Sequence, residues 1–358
     1  MIKELLEERC LPPLKSREEM IEILCREEYG ILPNIKFELS VENNSYPRSV
    51  CLNTVNYDQI KLNIKTENGE HSLPVFRLLH KDGQPRPTII YIDFDTHMKP
   101  IYFPAELIGE RDVNVLMFNY KEATTDDGDF SNGVAPLLLP NGRQKPTDIG
   151  KIALWAWTAM RVLDYAETLP EVDMNNVGVL GHSRLGKTAL VAAMLDTRFK
   201  FAFSNNSGCS GESLSRGSSG INFRGEDGKP TRGENIHDIT THFPFWFCEN
   251  YFKYAETCIP EGFDQHYLLA SIAPRYVYAG SSSLDYWADP TSTYLCLAAA
   301  SEMWEKEGLS GFVHPDRLPK IGEHFHEGHV GHHIKNSTHL LSYHDWMKYI
   351  DFMKSKIN

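Results

Sequence analysis

Two different spacings of hydrophobic residues mark the N-terminal part of the chain. Residues 16–28 carry apolar side chains at helical intervals, and Ser16 with Glu19 supplies the N-cap and capping box of an amphipathic helix. From about residue 35 to residue 79, apolar and polar residues alternate, which is typical of strands with one buried face. This part therefore predicts a helix followed by antiparallel strands at one edge of a sheet.

Beyond residue 80, short apolar runs alternate with helical stretches. The runs 88–93, 113–119 and 177–180 predict buried parallel strands, and the largely apolar residues 151–169 predict a long helix packed directly on the sheet. By the same criteria we expect further strands at 199–204, 274–280 and 330–334, and helices at 188–195, 292–307 and 343–355. The alternation indicates an α/β protein with a doubly wound, mostly parallel sheet and helices on both faces.

One long segment breaks this alternation. Residues 208–235 are rich in Gly, Ser, Arg and charge, which predicts a surface loop or cap inserted into the domain. The chain has no internal repeat. We therefore expect a single domain over residues 1–358, with residues 1–80 forming the N-terminal helix and the antiparallel edge strands.

Composition and charge narrow the class of protein. A net charge of −12 argues against binding a phosphate backbone, so nucleic acid is not expected as a partner. The N-terminus mixes charged and apolar residues, unlike a secretory signal, and no run approaches the roughly 20 apolar residues of a membrane span. Seven scattered cysteines without a CxxC pair indicate reduced thiols. These features predict a cytoplasmic protein with no membrane partner and leave its oligomeric state open.

The segment VGVLGHSRLGKTAL, residues 177–190, fits two motifs at once. Residues 181–188 spell G-x-x-x-x-G-K-[ST], a phosphate-binding P-loop. The same letters put Ser183 in a tight turn between a strand and a helix, where an esterase holds its nucleophile. A P-loop usually follows the first strand of its domain, whereas this segment follows several strands. A nucleotide hydrolase therefore remains only a remote alternative.

The order of residues further along the chain favours the esterase. In α/β-hydrolases a serine, an acid and a histidine follow one another along the chain, each just past a strand. Asp285 and Asp289 follow the strand predicted at 274–280, and His339 follows the strand predicted at 330–334. Asp285 is the favoured acid and Asp289 the second candidate. The backbone N–H of Arg184, the residue after the serine, is the expected oxyanion donor.

The motif GHSRLGK resembles the G-C-S-R-x-G-K motif of the glucuronoyl esterases, carbohydrate esterase family 15. The resemblance runs from about residue 148 to the C-terminus and includes IGKIALWAWTAMRVLDYAET, SNNSGCSG, HFPFWFCENY, FDQHYLLASIAPRYVYAGS, LDYWADP and GHHIKNSTHLLSYHDW. It implies an α/β-hydrolase fold and cleavage of esters on plant cell-wall carbohydrate, without a metal or other cofactor. The favoured substrate is an ester of 4-O-methyl-glucuronic acid.

The resemblance also implies roles for individual residues. Ser183 matches the family's nucleophile, His339 its histidine, and Arg184 an arginine whose side chain assists the oxyanion. Asp285 matches the acid that some members carry after the later strand. Other members carry a glutamate soon after the nucleophile strand, and that position here is Asn206.

Three further residues match positions that contact the sugar. Lys187 matches a lysine that binds the sugar, and Trp287 matches a tryptophan of the site. Glu234 falls where a family glutamate contacts the uronic acid. The segment 94–100 differs from the family pattern at the expected second oxyanion donor.

Other functions stay open on the sequence alone. Within the same class, an esterase releasing acetyl groups from xylo-oligosaccharides is the alternative. In a different class, the chain could be a hydrolase fold that binds carbohydrate without catalysis. The histidine-rich run GEHFHEGHVGHH, residues 322–333, raises a metal site by count, but it lacks the H-E-x-x-H order and its end reads as a strand, so no metal is expected.

Overall fold

The computed structural model describes residues 1–95, 102–216 and 232–357. The strands are β1 (Phe37–Asn43), β2 (Arg48–Val50), β3 (Val55–Thr66), β4 (Gly69–His80), β5 (Arg86–Asp93), β6 (Asn114–Asn119), β7 (Val172–His182), β8 (Phe201–Asn205), β9 (Tyr276–Ser282), β10 (His324–Phe325) and β11 (Val330–Lys335). The α-helices are α1 (Ile2–Arg9), α2 (Arg17–Leu24), α3 (Ala105–Glu110), α4 (Tyr120–Ala123), α5 (Ala135–Leu138), α6 (Lys151–Ala166), α7 (Arg184–Leu195), α8 (Ile236–His242), α9 (His266–Ala270), α10 (Pro290–Ala300), α11 (Glu302–Glu305) and α12 (Tyr343–Ser355).

All these strands join one mixed sheet. Its order is β1-β3-β4-β6-β5-β7-β8-β9-β11-β10, and β2 pairs with β3 at the side. Strands β6, β5, β7, β8, β9 and β11 run parallel, whereas β1 to β4 are antiparallel to their neighbours. The parallel half therefore brings the carboxyl ends of six strands to one edge, where α/β proteins place their ligands.

A hydrophobic core lies on each face of the sheet. On one face, α6, α7 and α10 cover side chains such as Ile90, Val179 and Val277. On the other face, α3 and α12 cover Tyr91 and Tyr278. Alternate residues of each strand point to opposite faces, so nearly continuous apolar runs are required when helices cover both. Among the described residues, every helix is too short or too polar to span a bilayer.

The structure confirms most of the predicted elements. Ser16 and Glu19 form the capping box at the start of α2, and β1, β3 and β4 are the expected antiparallel edge strands. The last helix spans residues 343–355, as predicted. The α/β class with helices on both faces of a mostly parallel central sheet is therefore confirmed.

Three expectations need correction. The helix predicted at 188–195 begins at Arg184, directly after the serine. The stretch 292–307 is two helices, α10 and α11, rather than one. Residues 208–215 are buried and not on the surface, and hydrogen bonds join them to neighbouring loops, as from Ser213 Oγ to the Ala288 carbonyl and from the Ser215 N–H to Asp264 Oδ1. Residues 217–231 of the predicted cap at 208–235 lie outside the described residues.

Candidate active site

Ser183 occupies a strained turn between β7 and α7. Its φ of 58° is in a region that L-residues with a side chain rarely adopt, and its N–H donates to the Asn205 carbonyl at 2.8 Å. A Cβ on Gly181 would lie 1.9 Å from the Leu185 carbonyl oxygen, so this position accepts only glycine. The turn therefore lifts the serine out at the carboxyl edge of the sheet.

Packing explains why the second glycine of the motif, Gly186, stands one residue later than in G-x-S-x-G. A Cβ on Gly186 would come within 2.7 Å of Ser204 Oγ and 2.9 Å of Ser207 Cβ. Glycine at this position therefore lets the first turn of α7 approach the end of β8 closely. The departure from G-x-S-x-G moves the close approach by one residue and keeps the turn.

The same geometry removes the P-loop interpretation. A P-loop needs an extended loop between its first glycine and its lysine, with backbone N–H groups around a phosphate. Here α7 already begins at Arg184, so residues 184–187 are helical. The side chain of Lys187 is buried and donates to the Ser207 carbonyl. The match to the motif is therefore coincidental.

Asp285 and His339 form a hydrogen-bonded pair. The distance from His339 Nδ1 to Asp285 Oδ2 is 2.6 Å, which assigns the proton to Nδ1 and leaves Nε2 as the basic nitrogen. The loops that carry the two residues are joined by a hydrogen bond of 3.0 Å from the Leu284 N–H to the Ser337 carbonyl. The His339 side chain is 45% exposed and that of Asp285 only 5%. A buried carboxylate thus orients an accessible imidazole.

Asp289 caps a helix and does not pair with His339. Its side chain accepts hydrogen bonds from the Ser292 N–H at 3.0 Å and the Ser292 hydroxyl at 2.8 Å, and it is the N-cap of α10. A carboxylate that caps a helix is not available to hold the histidine. The geometry therefore favours Asp285 over Asp289 as the acid.

One pocket of about 310 Å³ is lined by all seven residues expected from the sequence to form the site, but not by Asp289, the second candidate acid. Its lining includes Ser183, Arg184, Lys187, Glu234, Asp285, Trp287 and His339, and also Asn206, Phe243 and Trp246. These residues come from five separate parts of the chain. The catalytic and binding roles expected of them remain predictions, but their meeting in one pocket is a structural fact.

Arg184 is held from several sides. Its Nη1 donates to Asp126 Oδ2, and its guanidinium lies 4.6 Å from the centre of the Trp246 ring and 5.1 Å from that of Phe243. The Trp246 indole N–H donates to Asp126 Oδ1 at 2.8 Å. The sequence analysis assigned no role to Asp126 or Trp246, although Trp246 lies in the stretch HFPFWFCENY that carries the family resemblance. For Asp126 the available signal was its position a few residues past the carboxyl end of β6, at the edge where the site forms.

Lys187, Glu234 and Trp287 form the sugar-facing candidates. Burial lowers the pKa of Lys187, and the nearby carboxylate of Glu234 opposes that shift. Burial likewise raises the pKa of Glu234, while Lys187 and a hydrogen bond from the Trp287 side chain oppose it. The Glu234 N–H also donates to the Trp287 carbonyl at 2.8 Å. Trp287 is 49% exposed and so presents an aromatic surface at the pocket.

Beneath these residues lies Glu212, which the sequence did not suggest. It is fully buried, and its Oε1 accepts the Ser207 N–H at 3.0 Å. Burial raises its pKa to about 7. The first part of the predicted cap thus supplies a carboxyl group under the pocket floor.

His182 replaces the cysteine of the family motif and packs against the catalytic candidate. Its ring centre is 4.5 Å from that of His339, and its Nδ1 is 2.8 Å from Asn205 Oδ1. Burial lowers the pKa of His182 to about 3, so it is neutral at ordinary pH. It contributes an uncharged wall beside the accessible imidazole.

The segment after β5 is only partly described, because residues 96–101 lie outside the described ranges. The N–H of Phe94 donates to Asp93 Oδ1 at 2.7 Å. This backbone donor at the end of β5 is therefore engaged within the protein.

The histidines of the run at 322–333 contact different partners and do not surround a common centre. His332 lies near Ser281 Oγ at 3.1 Å, His333 near Asp345 Oδ1 at 2.8 Å, and His326 near the Tyr278 hydroxyl at 2.8 Å. Among the residues the structure describes, no three His, Cys, Asp or Glu side chains gather closely enough to hold a metal ion. The absence of a metal from the reaction stays a prediction.

Known proteins resemble this chain in sequence. A family model described as glucuronyl esterase of fungi matches residues 62–308. Carbohydrate esterase MZ0003 from an unknown prokaryotic organism is 35% identical over 236 residues, which cover 63% of this chain and 50% of that protein. The 4-O-methyl-glucuronoyl methylesterase of Podospora anserina is 28% identical over 298 residues, 81% of this chain and 55% of that protein. The chain thus spans about half the length of these curated relatives.

Solved structures resemble it over nearly the whole chain. A glucuronoyl esterase from Solibacter usitatus superposes with a TM-score of 0.84 at 28% identity, covering 96% of this chain and 93% of that one. A promiscuous CE15 esterase from a marine bacterial metagenome gives a TM-score of 0.81 at 24% identity, with 96% and 91% covered, which shows the fold alone. The match of the family model over most of the sequence and the shared α/β-hydrolase fold lead to one conclusion: the chain belongs to the glucuronoyl esterase family.

Proposed function

We propose that this chain is a serine carbohydrate esterase that cleaves 4-O-methyl-glucuronoyl esters through an acyl-enzyme. The observation that carries the proposal is the single pocket that joins the strained Ser183 turn, the Asp285–His339 pair and the buried Lys187. Membership of the family and the names of the relatives, among them a 4-O-methyl-glucuronoyl methylesterase, support the substrate class.

The first half of the reaction forms the acyl-enzyme. Ser183 Oγ attacks the ester carbonyl carbon while His339 Nε2 takes the serine proton. Asp285 keeps the imidazole in the required tautomer and stabilises its positive charge. The carbonyl oxygen becomes an oxyanion, which the Arg184 side chain and the first N–H groups of α7 stabilise. His339 then protonates the departing alcohol, and the acyl group stays on Ser183.

The second half releases the acid. Water attacks the acyl-enzyme, His339 takes a proton from it, and a second oxyanion forms in the same place. When this intermediate collapses, His339 returns the proton to Ser183 Oγ. The product is a free uronic acid, and the enzyme is restored.

The sugar is bound by the remaining residues of the pocket. The Lys187 ammonium donates to hydroxyl or ring oxygens, Glu234 accepts from sugar hydroxyls, and the half-exposed Trp287 ring stacks on the apolar face of the pyranose. A cation and a carboxylate in one small pocket suit a polar ring better than an acyl chain. This balance is why we favour a uronoyl ester over an acetyl ester.

The direct test compares two substrates with three forms of the protein. Hydrolysis of a methyl 4-O-methyl-glucuronate ester and of an acetylated xylo-oligosaccharide is measured for wild type, for Ser183→Ala, and for Ser72→Ala, an exposed serine of β4 that serves as the control. We expect cleavage of the uronate ester by wild type and the control, and a loss of roughly 10³-fold or more in Ser183→Ala.

Other results would change the conclusion. Preferential release of acetate that still depends on Ser183 would keep the mechanism and move the substrate to the acetyl esters. Binding of the sugar without cleavage of either ester would make the chain a carbohydrate-binding hydrolase fold. Cleavage that survives Ser183→Ala would contradict the mechanism.

A further inference from the structure

Asp126 is the meeting point of three donors beside the pocket. Its Oδ2 accepts from Arg184 Nη1 and from the Tyr120 hydroxyl, the latter at 2.9 Å, and its Oδ1 accepts from the Trp246 indole N–H at 2.8 Å. The Asp126 side chain is only 9% exposed. A nearly buried carboxylate needs such partners, since an unpaired charge there would carry a large desolvation cost.

The Arg184 guanidinium is held against an aromatic wall as well. The Trp246 and Phe243 rings stack with centres 3.9 Å apart and only 4° between their planes. The guanidinium lies within 5.1 Å of both ring centres, at the distance of a cation–π contact. One carboxylate and two stacked rings thus restrict both the position and the rotation of the group.

This arrangement leaves part of the guanidinium fork unused within the protein. Arg184 lines the pocket with a side chain that is 24% exposed, and Asp126 engages only its Nη1. A guanidinium is a planar fork of donors that keeps its proton at any ordinary pH. Binding one nitrogen to Asp126 therefore fixes the direction of the remaining N–H groups without removing them.

We propose that Asp126 is a positioning residue for the reaction. It holds the Arg184 side chain so that the free N–H groups meet the oxyanion already in place, with little reorganisation as charge develops. Donors fixed in advance stabilise a transition state more effectively than mobile ones, and small displacements of such groups cost rate. This inference rests on the proposed function, because it assigns Asp126 a part in the same ester cleavage.

The test is a double-mutant cycle on kcat and KM for the uronate ester. We compare wild type, Asp126→Asn, Arg184→Ala and the double variant. If Asp126 acts through Arg184, Asp126→Asn lowers kcat by roughly 10- to 100-fold with little change in KM, and causes no further loss once Arg184 is alanine. Asp164→Asn is the matched control, since Asp164 binds Arg161 and Arg198 away from the pocket, and its kcat should be unchanged.

Three outcomes would overturn the inference. They are an unchanged kcat in Asp126→Asn, a loss of equal size in both backgrounds, and a loss confined to KM. If Ser183-dependent cleavage persists in those cases, the proposed function stands and only the role of Asp126 fails. If the wild type cleaves no ester, both fail together.

A second variant keeps the test decisive if Asp126→Asn does not fold. Trp246→Phe preserves a ring against Phe243 and removes the indole N–H that Asp126 accepts. We expect a loss of a few-fold in kcat that disappears in the Arg184→Ala background. A loss that persists there would contradict the proposal.

Discussion

Two aspartates hold two basic side chains at the same pocket, and they do so in opposite ways. Asp285 binds His339 through one hydrogen bond of 2.6 Å, and the imidazole stays 45% exposed on a loop. Asp126 binds Arg184, whose side chain is only 24% exposed and lies against two stacked aromatic rings.

The difference fits the role proposed for each group. A general base must reach the serine, the leaving alcohol and water in turn, so it needs access and a small freedom of tilt. A group that stabilises charge performs best when it does not move at all. The exposed loop and the aromatic wall therefore fit the roles proposed for His339 and Arg184.

The largest effect is expected from Asp285→Asn, which tests whether Asp285 orients His339. Asparagine retains the shape but favours the wrong tautomer of His339, so kcat for the uronate ester should fall by about 10⁴-fold. Thermal unfolding should change little. A loss below tenfold would mean that another carboxylate supports the histidine and that Asp285 is not the partner we describe.

A third carboxyl group, that of Glu212, extends the comparison. Asp285 and Asp126 each bind a basic side chain, whereas Glu212 accepts a hydrogen bond from an uncharged donor, the Ser207 N–H. Burial raises its pKa from 4.5 to about 7. Between these values the folded protein keeps a proton that the unfolded chain has lost, so stability falls as pH rises through this window. Glu212→Gln cannot ionise and should lack this part of the pH dependence.

The measurement is urea unfolding of wild type and Glu212→Gln at about pH 5 and about pH 7.5. We expect the variant to gain on wild type between the two pH values by an amount on the order of 1–3 kcal/mol. Equal pH dependence in both proteins would show that the carboxyl of Glu212 does not retain its proton in the folded state.

The smallest effect is expected from Asp289→Ala, which separates two aspartates of one loop. Loss of the N-cap of α10 should lower the free energy of unfolding by about 1 kcal/mol. Hydrolysis of the uronate ester should stay within about twofold of wild type. A kinetic loss like that of Asp285→Asn would contradict the division of roles between the two residues.

Much of the fold could be predicted because the spacing of hydrophobic residues and the capping of helices are properties of the local sequence. The box of Ser16 and Glu19, the alternating edge strands and the final helix each depend on nearby residues. The start of α7 was placed too late because Arg184, Gly186 and Lys187 look like a loop motif. In the structure this stretch is helical and Gly186 packs closely against the end of β8, a contact that the local sequence does not reveal.

The same distinction between local sequence patterns and non-local contacts applies to the residues of the candidate site. Ser183, Asp285 and His339 could be found because each follows a strand in a known order, so chain order alone brings them to one edge. Asp126 and Trp246 could not, because they matter through contacts with Arg184 between distant segments. The error at 208–215 has the same cause, since Gly- and Ser-rich sequence is typical of exposed loops but also packs tightly beneath a pocket.

The backbone conformation of Ser183 has a consequence for directed evolution of this protein towards higher thermostability. Its φ of 58° suits glycine, which lacks the side chain that makes this conformation unfavourable. Selection for heat resistance alone would therefore favour replacement of Ser183, the proposed nucleophile, by glycine. Robustness and turnover compete at this one residue, so a thermostability screen without an activity screen would select against catalysis.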